Sequence, residues 1–94
     1  MAWVYIVRCA DGTFYVGHTS DVEWREKIHN DGFGSSYTAR RRPVALAYSE
    51  EHDSIRSAIA RERQLKRWSA AKKEALVRGD LAKLHALAKR RPIN

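Results

Sequence analysis

Residues 2–17, AWVYIVRCADGTFYVG, decide the fold of this chain because they predict a β-hairpin at its start. Residues 2–8 are rich in β-branched and aromatic side chains, which is typical of a strand. Asp11-Gly12 is a turn signal, and residues 13–17 are predicted to form the returning strand. The sequence therefore begins with two antiparallel strands joined by a short loop.

Two tyrosines in this hairpin, Tyr5 and Tyr15, are either ordinary strand aromatics or members of one site, which requires that they share a sheet face. A two-residue turn would place them on opposite faces, whereas a three-residue loop would pair Cys9 with Thr13 and place them on one face. We predict the three-residue loop, with its glycine left-handed. Tyr5 would then lie opposite Gly17, whose missing side chain would leave room for a phosphate.

The rest of the chain predicts one more strand and four helices. Ser20 or Asp21 is the expected N-cap of the first helix, and Asp53 or Ser54 that of the second. Pro43 begins a strand that is short enough to lie at a sheet edge. The predicted order is ββαβααα, an α+β fold with a small three-stranded antiparallel or mixed sheet flanked by helices. The predicted bounds are helix 20–29, loop 33–42, strand 43–49, and helices 54–68, 69–79 and from residue 80 onward.

The composition is that of one small globular domain. With 94 residues and 44% hydrophobic side chains, the chain is too apolar to be disordered. Its longest apolar run, residues 3–7, is too short to cross a membrane, and no secretory signal pattern is present. Cys9 is the only cysteine, which excludes a disulfide framework and favours the cytoplasm. We expect one domain over residues 1–94, with a core over about 2–78 and a helical basic extension over 79–94.

The charge of the chain favours a polyanionic partner. Its formal net charge is +7 and its isoelectric point is about 10.0. A solvated basic surface is one interpretation, and a phosphate-binding surface whose affinity falls with salt is the other. The cationic clusters are Arg40-Arg41-Arg42, Arg61 with Arg63, Lys66-Arg67, Lys72-Lys73 and Lys89-Arg90-Arg91.

A carboxylate, Glu62, is predicted near the centre of an apolar helix face. At about 100° per residue it shares one stripe with Ile55 and Ile59, with Ala58 and Leu65 on its flanks. Such a glutamate is either a boundary residue paired with an arginine or a ligand for Mg²⁺, which prefers hard oxygen donors. The spacing leaves both interpretations open.

The first helix carries a stacked pair of basic residues, Arg25 and His29, next to Val22. Two cations spaced i,i+4 repel each other when both are charged, so the pair gains from an anion opposite it. His29 is either neutral and exposed or, with Arg25, directed at a phosphate, where arginine neutralises charge and histidine moves a proton. Trp24 and Ile28 form a second i,i+4 pair, which we expect to contact the core.

The order and spacing of these segments resemble the GIY-YIG nuclease superfamily, and in particular its short stand-alone bacterial members. Trp3-Val4-Tyr5 and Tyr15-Val16-Gly17, whose tyrosines are ten residues apart, resemble the paired tripeptides of the family. Residues 19–25 with His29-Asn30 match its first-helix pattern. The likeness covers roughly residues 2–78 and continues through residues 37–38, 42–44, 48–51 and 62–69.

The resemblance implies a metal-dependent endonuclease that hydrolyses DNA phosphodiester bonds with a water nucleophile, with RNA as a further candidate substrate. Structure-selective cleavage in DNA repair or recombination is one biological role that it implies. Glu62 would hold a single Mg²⁺ or Mn²⁺, and Arg25 would neutralise charge at the phosphorus. Tyr5, with help from His29, would position or deprotonate the attacking water, and Tyr15 would order the site.

Nucleic acid is the implied partner, and the charge clusters and the motifs together indicate which residues contact it. The candidates are Gly17, His18, Lys27, Tyr37, Arg40, Arg41, Arg42, Lys66, Arg67, Lys72 and Lys73.

The chain departs from the family pattern at several positions. Trp3 stands where the first tripeptide has glycine, and His18 stands where several relatives have lysine. Some relatives carry a supporting asparagine downstream of the glutamate, but the only asparagines here are Asn30 and Asn94. That support is therefore missing or replaced.

Two other functions stay open. One is a non-catalytic nucleic-acid-binding module on the same fold, with Tyr37 and Trp68 as stacking partners. The other is a catalytic subunit that needs a partner protein to supply DNA specificity. Metal-dependent nicking by the pure chain would separate the first from an enzyme. The sequence leaves the oligomeric state open.

Overall fold

A computed structural model describes residues 1–89 of the chain and has the predicted α+β architecture, with one added helical turn. That turn, α2, lies inside the segment predicted to be a polar loop, where Ser35 caps it by accepting a hydrogen bond from the Thr38 amide. The elements are β1 (Ala2–Arg8), β2 (Phe14–Thr19), α1 (Val22–Asn30), α2 (Ser36–Ala39), β3 (Ala45–His52), α3 (Ile55–Lys66), α4 (Ala70–Arg78) and α5 (Leu81–Lys89).

The three strands form an antiparallel sheet in the order β2-β1-β3, so β3 lies at an edge, as predicted. It begins and ends later than the predicted strand 43–49, however. The Asn30 side chain binds both backbone groups of Val44, at 2.9 and 2.7 Å, so the strand ladder starts at Ala45. At the other end β3 continues to His52, which pairs with Ala2.

The register of the hairpin confirms the three-residue loop. The Cys9 amide donates to the Thr13 carbonyl at 2.8 Å, and Gly12 has a left-handed φ of 86°. Tyr5 therefore lies opposite Gly17, and Tyr15 lies opposite Val7. Both tyrosines share one face of the sheet, as predicted.

The room expected for a phosphate above Gly17 is absent. A Cβ atom built on Gly17 would lie only 2.6 Å from Cζ of Tyr5. The Tyr5 ring itself fills the space that the missing side chain leaves.

Each face of the sheet has its own apolar cluster, since side chains alternate along a strand. One cluster contains Val4, Ile6 and Val16 and is covered by Ala58 and Leu65 of α3. The other cluster lies on the α1 side and consists of Tyr5, Val7, Cys9 and Val44, with Tyr15, Val22 and Tyr37 packed against it.

Two predicted apolar contacts are wrong. Trp24 is 56% exposed, so it makes no core contact, and α1 instead turns His29 inward. On α3 the buried stripe runs through Ala58 and Leu65, while Ile55 is 62% exposed. Glu62 therefore lies beside the buried stripe and not at its centre.

The helix caps follow the sequence closely. Asp21 and Ser54 are the N-caps of α1 and α3, and Ser69 is that of α4. Gly79 ends α4 in a left-handed conformation, as predicted for a C-terminal glycine. The predicted basic extension is helical through Lys89, and the remainder of it, residues 90–94, lies outside the described residues. Within residues 1–89, no helix has the length and apolarity needed to cross a membrane.

Candidate active site

A hydrogen bond between two buried side chains forms the centre of the candidate site. The Tyr5 hydroxyl, on the central strand, lies 2.7 Å from Nε2 of His29 in the last turn of α1. Tyr5 is 2% exposed and His29 is fully buried, so the interpretation of His29 as an exposed residue is wrong. Burial lowers the pKa of His29, and the positive charge of Arg25 lowers it further, so the imidazole is neutral at pH 7.

The other ring nitrogen of His29 is bound by Thr38, which was not among the site residues predicted from the sequence. Nδ1 lies 2.7 Å from the hydroxyl oxygen of Thr38, which is also fully buried. The Ser35 hydroxyl contacts the Thr38 hydroxyl, and Gly34 packs against the His29 ring. The only sequence signal for Thr38 was its place in a family motif, because its partner His29 lies nine residues away, in another element, and no helix or turn spacing links the two.

Tyr15 lies beside this pair. Its ring meets that of His29 edge-on, with centroids 5.2 Å apart, and stacks on Tyr37 at 6.0 Å. The Lys66 ammonium lies 5.9 Å from the centre of the Tyr15 ring. The two predicted motif tyrosines thus both contact His29.

Arg25 joins the group from α1, one turn before His29. Burial raises the pKa of the Tyr5 hydroxyl, and the neighbouring Arg25 guanidinium opposes that rise. The Nε atom of Arg25 is buried and has no hydrogen-bond partner within residues 1–89. An unpaired buried N–H is costly, so this atom is a donor suited to an acceptor on a bound molecule.

Glu62 lies on α3, which packs against the opposite face of the sheet, and its negative charge contributes to raising the pKa of Tyr5. One carboxylate oxygen lies 2.5 Å from Nδ1 of His18, and the other lies 2.9 Å from the Lys66 ammonium. Although burial raises the pKa of Glu62, the hydrogen bonds from Lys66 and His18 outweigh it and lower the pKa overall. The carboxylate is therefore ionised, and Lys66 links it to Tyr15.

A cleft of about 400 Å³ opens beside these residues. Of the candidate site residues, Arg25 and His18 line it. The full lining is Met1, Ala2, His18, Thr19, Ser20, Arg25, Asp53, Ser54 and Ile55.

The donor set at Glu62 suits a hydrated divalent ion. Within the described part of the chain, no three His, Cys, Asp or Glu side chains are grouped to form a closed metal site. Mg²⁺ commonly binds proteins through one or two carboxylates and keeps most of its waters, and a substrate phosphate completes its shell. One ionised carboxylate, with a substrate phosphate to supply further oxygens, therefore fits Mg²⁺ or Mn²⁺.

The three consecutive arginines predicted to contact nucleic acid have different surroundings. Arg41 binds Asp11 at 3.0 Å and lies 3.7 Å above the Tyr37 ring. Arg42 donates to the Ala39 carbonyl at 2.9 Å. Arg40 is exposed and forms no salt bridge within residues 1–89, so it is the arginine most open to a phosphate.

The other predicted nucleic-acid contacts are dispersed over the surface. Lys27 pairs with Asp31 at 3.0 Å. A second cleft, of about 490 Å³, is lined by Arg67 and Lys72 among others, and Lys72 lies 4.2 Å above the Trp68 ring. Burial lowers the pKa of Lys73.

Several residues are less available to a nucleic-acid strand than the sequence predicted. Gly17 is buried beneath Tyr5. Tyr37 and Trp68, the proposed stacking partners, each have a cation over the ring already. Asn30 supports the start of β3 and makes no contact with Glu62.

Comparisons with known proteins bear on this arrangement. A model of the GIY-YIG catalytic domain matches residues 1–75. A UPF0213 protein of Halobacterium salinarum is 47% identical over 76 residues, which is 81% of this chain and 99% of that protein. A UPF0213 protein of Natronomonas pharaonis is 47% identical over 75 residues, covering 80% of this chain and 88% of that one.

A solved structure is also similar. The solution NMR structure of a UPF0213 protein from Bacillus halodurans aligns with a TM-score of 0.52 and 41% identity, covering 82% of this chain and 83% of that one. The family model extends over the hairpin, α1 and α3, which carry the candidate residues. The chain therefore belongs to the GIY-YIG family of nuclease catalytic domains.

Proposed function

We propose that this protein is a divalent-metal-dependent endonuclease that hydrolyses DNA phosphodiester bonds. The observation that carries the proposal is the unpaired, buried Nε of Arg25 next to the Tyr5–His29 pair. A phosphoryl oxygen is the acceptor that would satisfy this donor, and arginine binds phosphate in preference to most other groups. Family membership supports the same reaction class.

Arg25 would bind the scissile phosphate and neutralise the charge that develops on its oxygens in the transition state. A preorganised donor in a site with little water contributes on the order of 10²–10³ in rate. Part of the guanidinium is already organised, because its Nε atom is buried in the folded protein.

Tyr5 and His29 would together accept the proton of the attacking water. As the water oxygen bonds to phosphorus, its proton passes to the Tyr5 oxygen, and the Tyr5 proton passes to Nε2 of His29, 2.7 Å away. The bond from phosphorus to the leaving 3′-oxygen breaks in the same displacement. His29 suits this role because its lowered pKa keeps it neutral before the reaction.

Glu62 would hold the Mg²⁺ or Mn²⁺ ion. When bound, the ion polarises a phosphoryl oxygen and stabilises the leaving oxygen. Lys66 and His18, which occupy the carboxylate in the free protein, would turn toward the phosphate backbone. Tyr15 would keep the His29 ring and the Lys66 side chain in place.

Replacing the carboxylate tests this proposal. Glu62→Ala should lower metal-dependent cleavage by more than about 100-fold while leaving the fold and DNA binding intact, because the ligand for the ion is lost. If the carboxylate merely paired with a cation, its removal would lower stability and leave turnover unchanged. Glu74→Gln is the matched control, because Glu74 also binds two basic residues but lies outside the site. Cleavage by Glu62→Ala at the wild-type rate would contradict the ligand role.

The substrate and the need for a partner are tested in the same assay. Pure protein with Mg²⁺ or Mn²⁺ is incubated with labelled duplex, flapped and branched DNA and with RNA, since structure-selective repair is one candidate role. Binding without cleavage of any of them would favour a non-catalytic module. Cleavage that appears only when a DNA-binding protein is added would favour a partner-dependent subunit.

We place the protein in the cytoplasm, because its lone Cys9 is a buried free thiol.

A further inference from the structure

We propose that Thr38 is a positioning residue that keeps the proton of His29 on Nδ1, so that the lone pair of Nε2 faces Tyr5. The catalytic consequence rests on the proposed function, whereas the protonation pattern is a property of the free protein. A hydroxyl in α2 would thereby decide which ring nitrogen can accept a proton.

The contacts of the Thr38 hydroxyl carry the inference. Its oxygen lies 2.7 Å from Nδ1 of His29, 2.9 Å from the Ser35 hydroxyl and 3.3 Å from the Ser35 carbonyl. A hydroxyl has one proton to donate and two lone pairs to accept. A carbonyl oxygen only accepts, so the Thr38 proton satisfies all three contacts when it points to that carbonyl. His29 Nδ1 and the Ser35 hydroxyl are then the donors.

The opposite arrangement leaves one contact unmade. If Thr38 donated to Nδ1, its oxygen would face the Ser35 carbonyl at 3.3 Å with no proton between them. His29 would then carry its proton on Nε2 and donate it to Tyr5. In that tautomer the imidazole has no free site facing Tyr5, so it cannot accept the Tyr5 proton.

The segment around Thr38 is built to hold the ring. Thr38 and His29 are both fully buried, and the Thr38 amide is bound by the Ser35 side chain at 3.0 Å. A Cβ atom on Gly34 would lie 2.5 Å from Cε1 of His29, so the backbone there lies directly against the imidazole. The single turn α2 thus presents Thr38 to one nitrogen while β1 presents Tyr5 to the other.

The test uses the full chain labelled with ¹⁵N and reads the tautomer of His29 by NMR, independently of any nuclease activity. The wild type should carry the proton on Nδ1. Thr38→Val, which keeps the shape but removes the hydroxyl, should lose this preference, and Thr38→Ser should restore it. A wild type protonated on Nε2, or an unchanged tautomer in a folded Thr38→Val, would overturn the assignment.

Cleavage provides the second measurement. Thr38→Val should lower kcat by about 100-fold with KM nearly unchanged, because general base catalysis typically contributes 10²–10⁴-fold. Thr38→Ser should recover most of that loss. Full activity in a Thr38→Val protein whose tautomer has changed would overturn the catalytic role. If no DNA is cut at all, the proposed function fails, while the NMR result still decides the tautomer.

Discussion

At the scale of the residue, the close approach of Tyr5 to Gly17 organises the site. The Tyr5 ring crosses β2 where any side chain on residue 17 would collide with it, since a Cβ would lie 2.6 Å from Cζ. Gly17 is thus required for space and not for a special backbone angle, because its φ is not left-handed. This contact lets the Tyr5 hydroxyl reach His29.

Gly17→Ala should therefore displace the Tyr5 ring. We expect a loss of about 1–3 kcal/mol in the free energy of unfolding, as for other overpacked sites. Cleavage should fall by about 100-fold, because misplacing a reacting group by 1 Å costs that much. Urea unfolding and cleavage assays measure the two effects.

Gly12→Ala is the control. Its Cβ would meet no atom within 4 Å, but Gly12 has a φ of 86°, so the substitution strains the backbone alone. It should cost about 1–2 kcal/mol in stability and leave cleavage unchanged in the folded protein. Equal loss of cleavage in both variants would show that stability, not the position of Tyr5, controls activity.

The buried His29 makes stability depend on pH. Burial, with the charge of Arg25, lowers its pKa in the folded protein below the usual value of about 6.5. The unfolded chain therefore binds a proton first as pH falls, and the free energy of unfolding should decrease from pH 7 toward pH 5. Urea midpoints across this range measure the change.

The matched pair for this prediction is His29→Gln and His85→Gln, since His85 is exposed on α5. His29→Gln should flatten the dependence between pH 7 and pH 5, and His85→Gln should preserve it. The lowered pKa values of Glu50 and Glu62 act in a separate window, below their usual value of about 4.5. An unchanged slope in His29→Gln would remove His29 as the cause.

At the scale of the element, two side chains of α1 bind the edge-strand segment: Glu26 accepts from the Leu46 amide, and Asn30 binds Val44. Asn30, at the end of α1, accepts from the Val44 amide at 2.7 Å and donates to the Val44 carbonyl at 2.9 Å. Val44 is buried, so these backbone groups have little access to water. The side-chain amide of Asn30 therefore sets where β3 begins, and β3 in turn pairs with one edge of β1.

Asn30→Ala should leave both backbone groups of Val44 unpaired. The free energy of unfolding should then fall by up to about 1–3 kcal/mol for each unsatisfied group. Asn30→Asp keeps the acceptor for the Val44 amide but loses the donor, so it should fall between Ala and the wild type. Urea unfolding measures both variants. A loss below about 0.5 kcal/mol for Asn30→Ala, typical of an ordinary surface site, would mean that water replaces the amide.

At the scale of the whole molecule, the chain has a net charge of +7, but some of its basic side chains are paired with carboxylates and others are exposed to solvent. Arg8 and Arg78 both bind Glu74, whose pKa these arginines lower to about 2. Arg41 binds Asp11, whereas Arg40 is exposed. Only part of the formal charge is therefore available to a polyanion.

DNA affinity should fall steeply with salt, and neutralising Arg40, Arg41 and Arg42 together should flatten that dependence. Each lost phosphate contact reduces the slope of log K against log salt by about 0.9. Arg41 also binds Asp11, and Arg42 also binds the backbone carbonyl of Ala39. The single variant Arg40→Gln therefore isolates the electrostatic effect. Arg78→Gln removes the same charge elsewhere and should leave the slope unchanged. Equal slopes for Arg40→Gln and the wild type would remove this loop from the DNA path.

The sequence by itself determined the features that are encoded within a few neighbouring residues. Asp11-Gly12 marked the turn of the hairpin, and Asp21, Ser54 and Ser69 were among the residues predicted to begin helices. The register was predicted by requiring that Tyr5 and Tyr15 share a face, and the structure confirms it. Turns and helix caps depend on local backbone conformation, so their positions can be deduced from neighbouring residues. The motif order also identified the family.

Only the tertiary structure decided which of these residues are buried and what they touch. Trp24 had an apolar pattern but is exposed, while His29 is buried between Tyr5 and Thr38. The space above Gly17 was filled by a side chain from another strand. Burial depends on which face a distant segment covers, and hydrogen bonds such as that of Thr38 form between elements that the chain brings together only on folding. No local spacing encodes that choice, because it follows from packing the whole molecule.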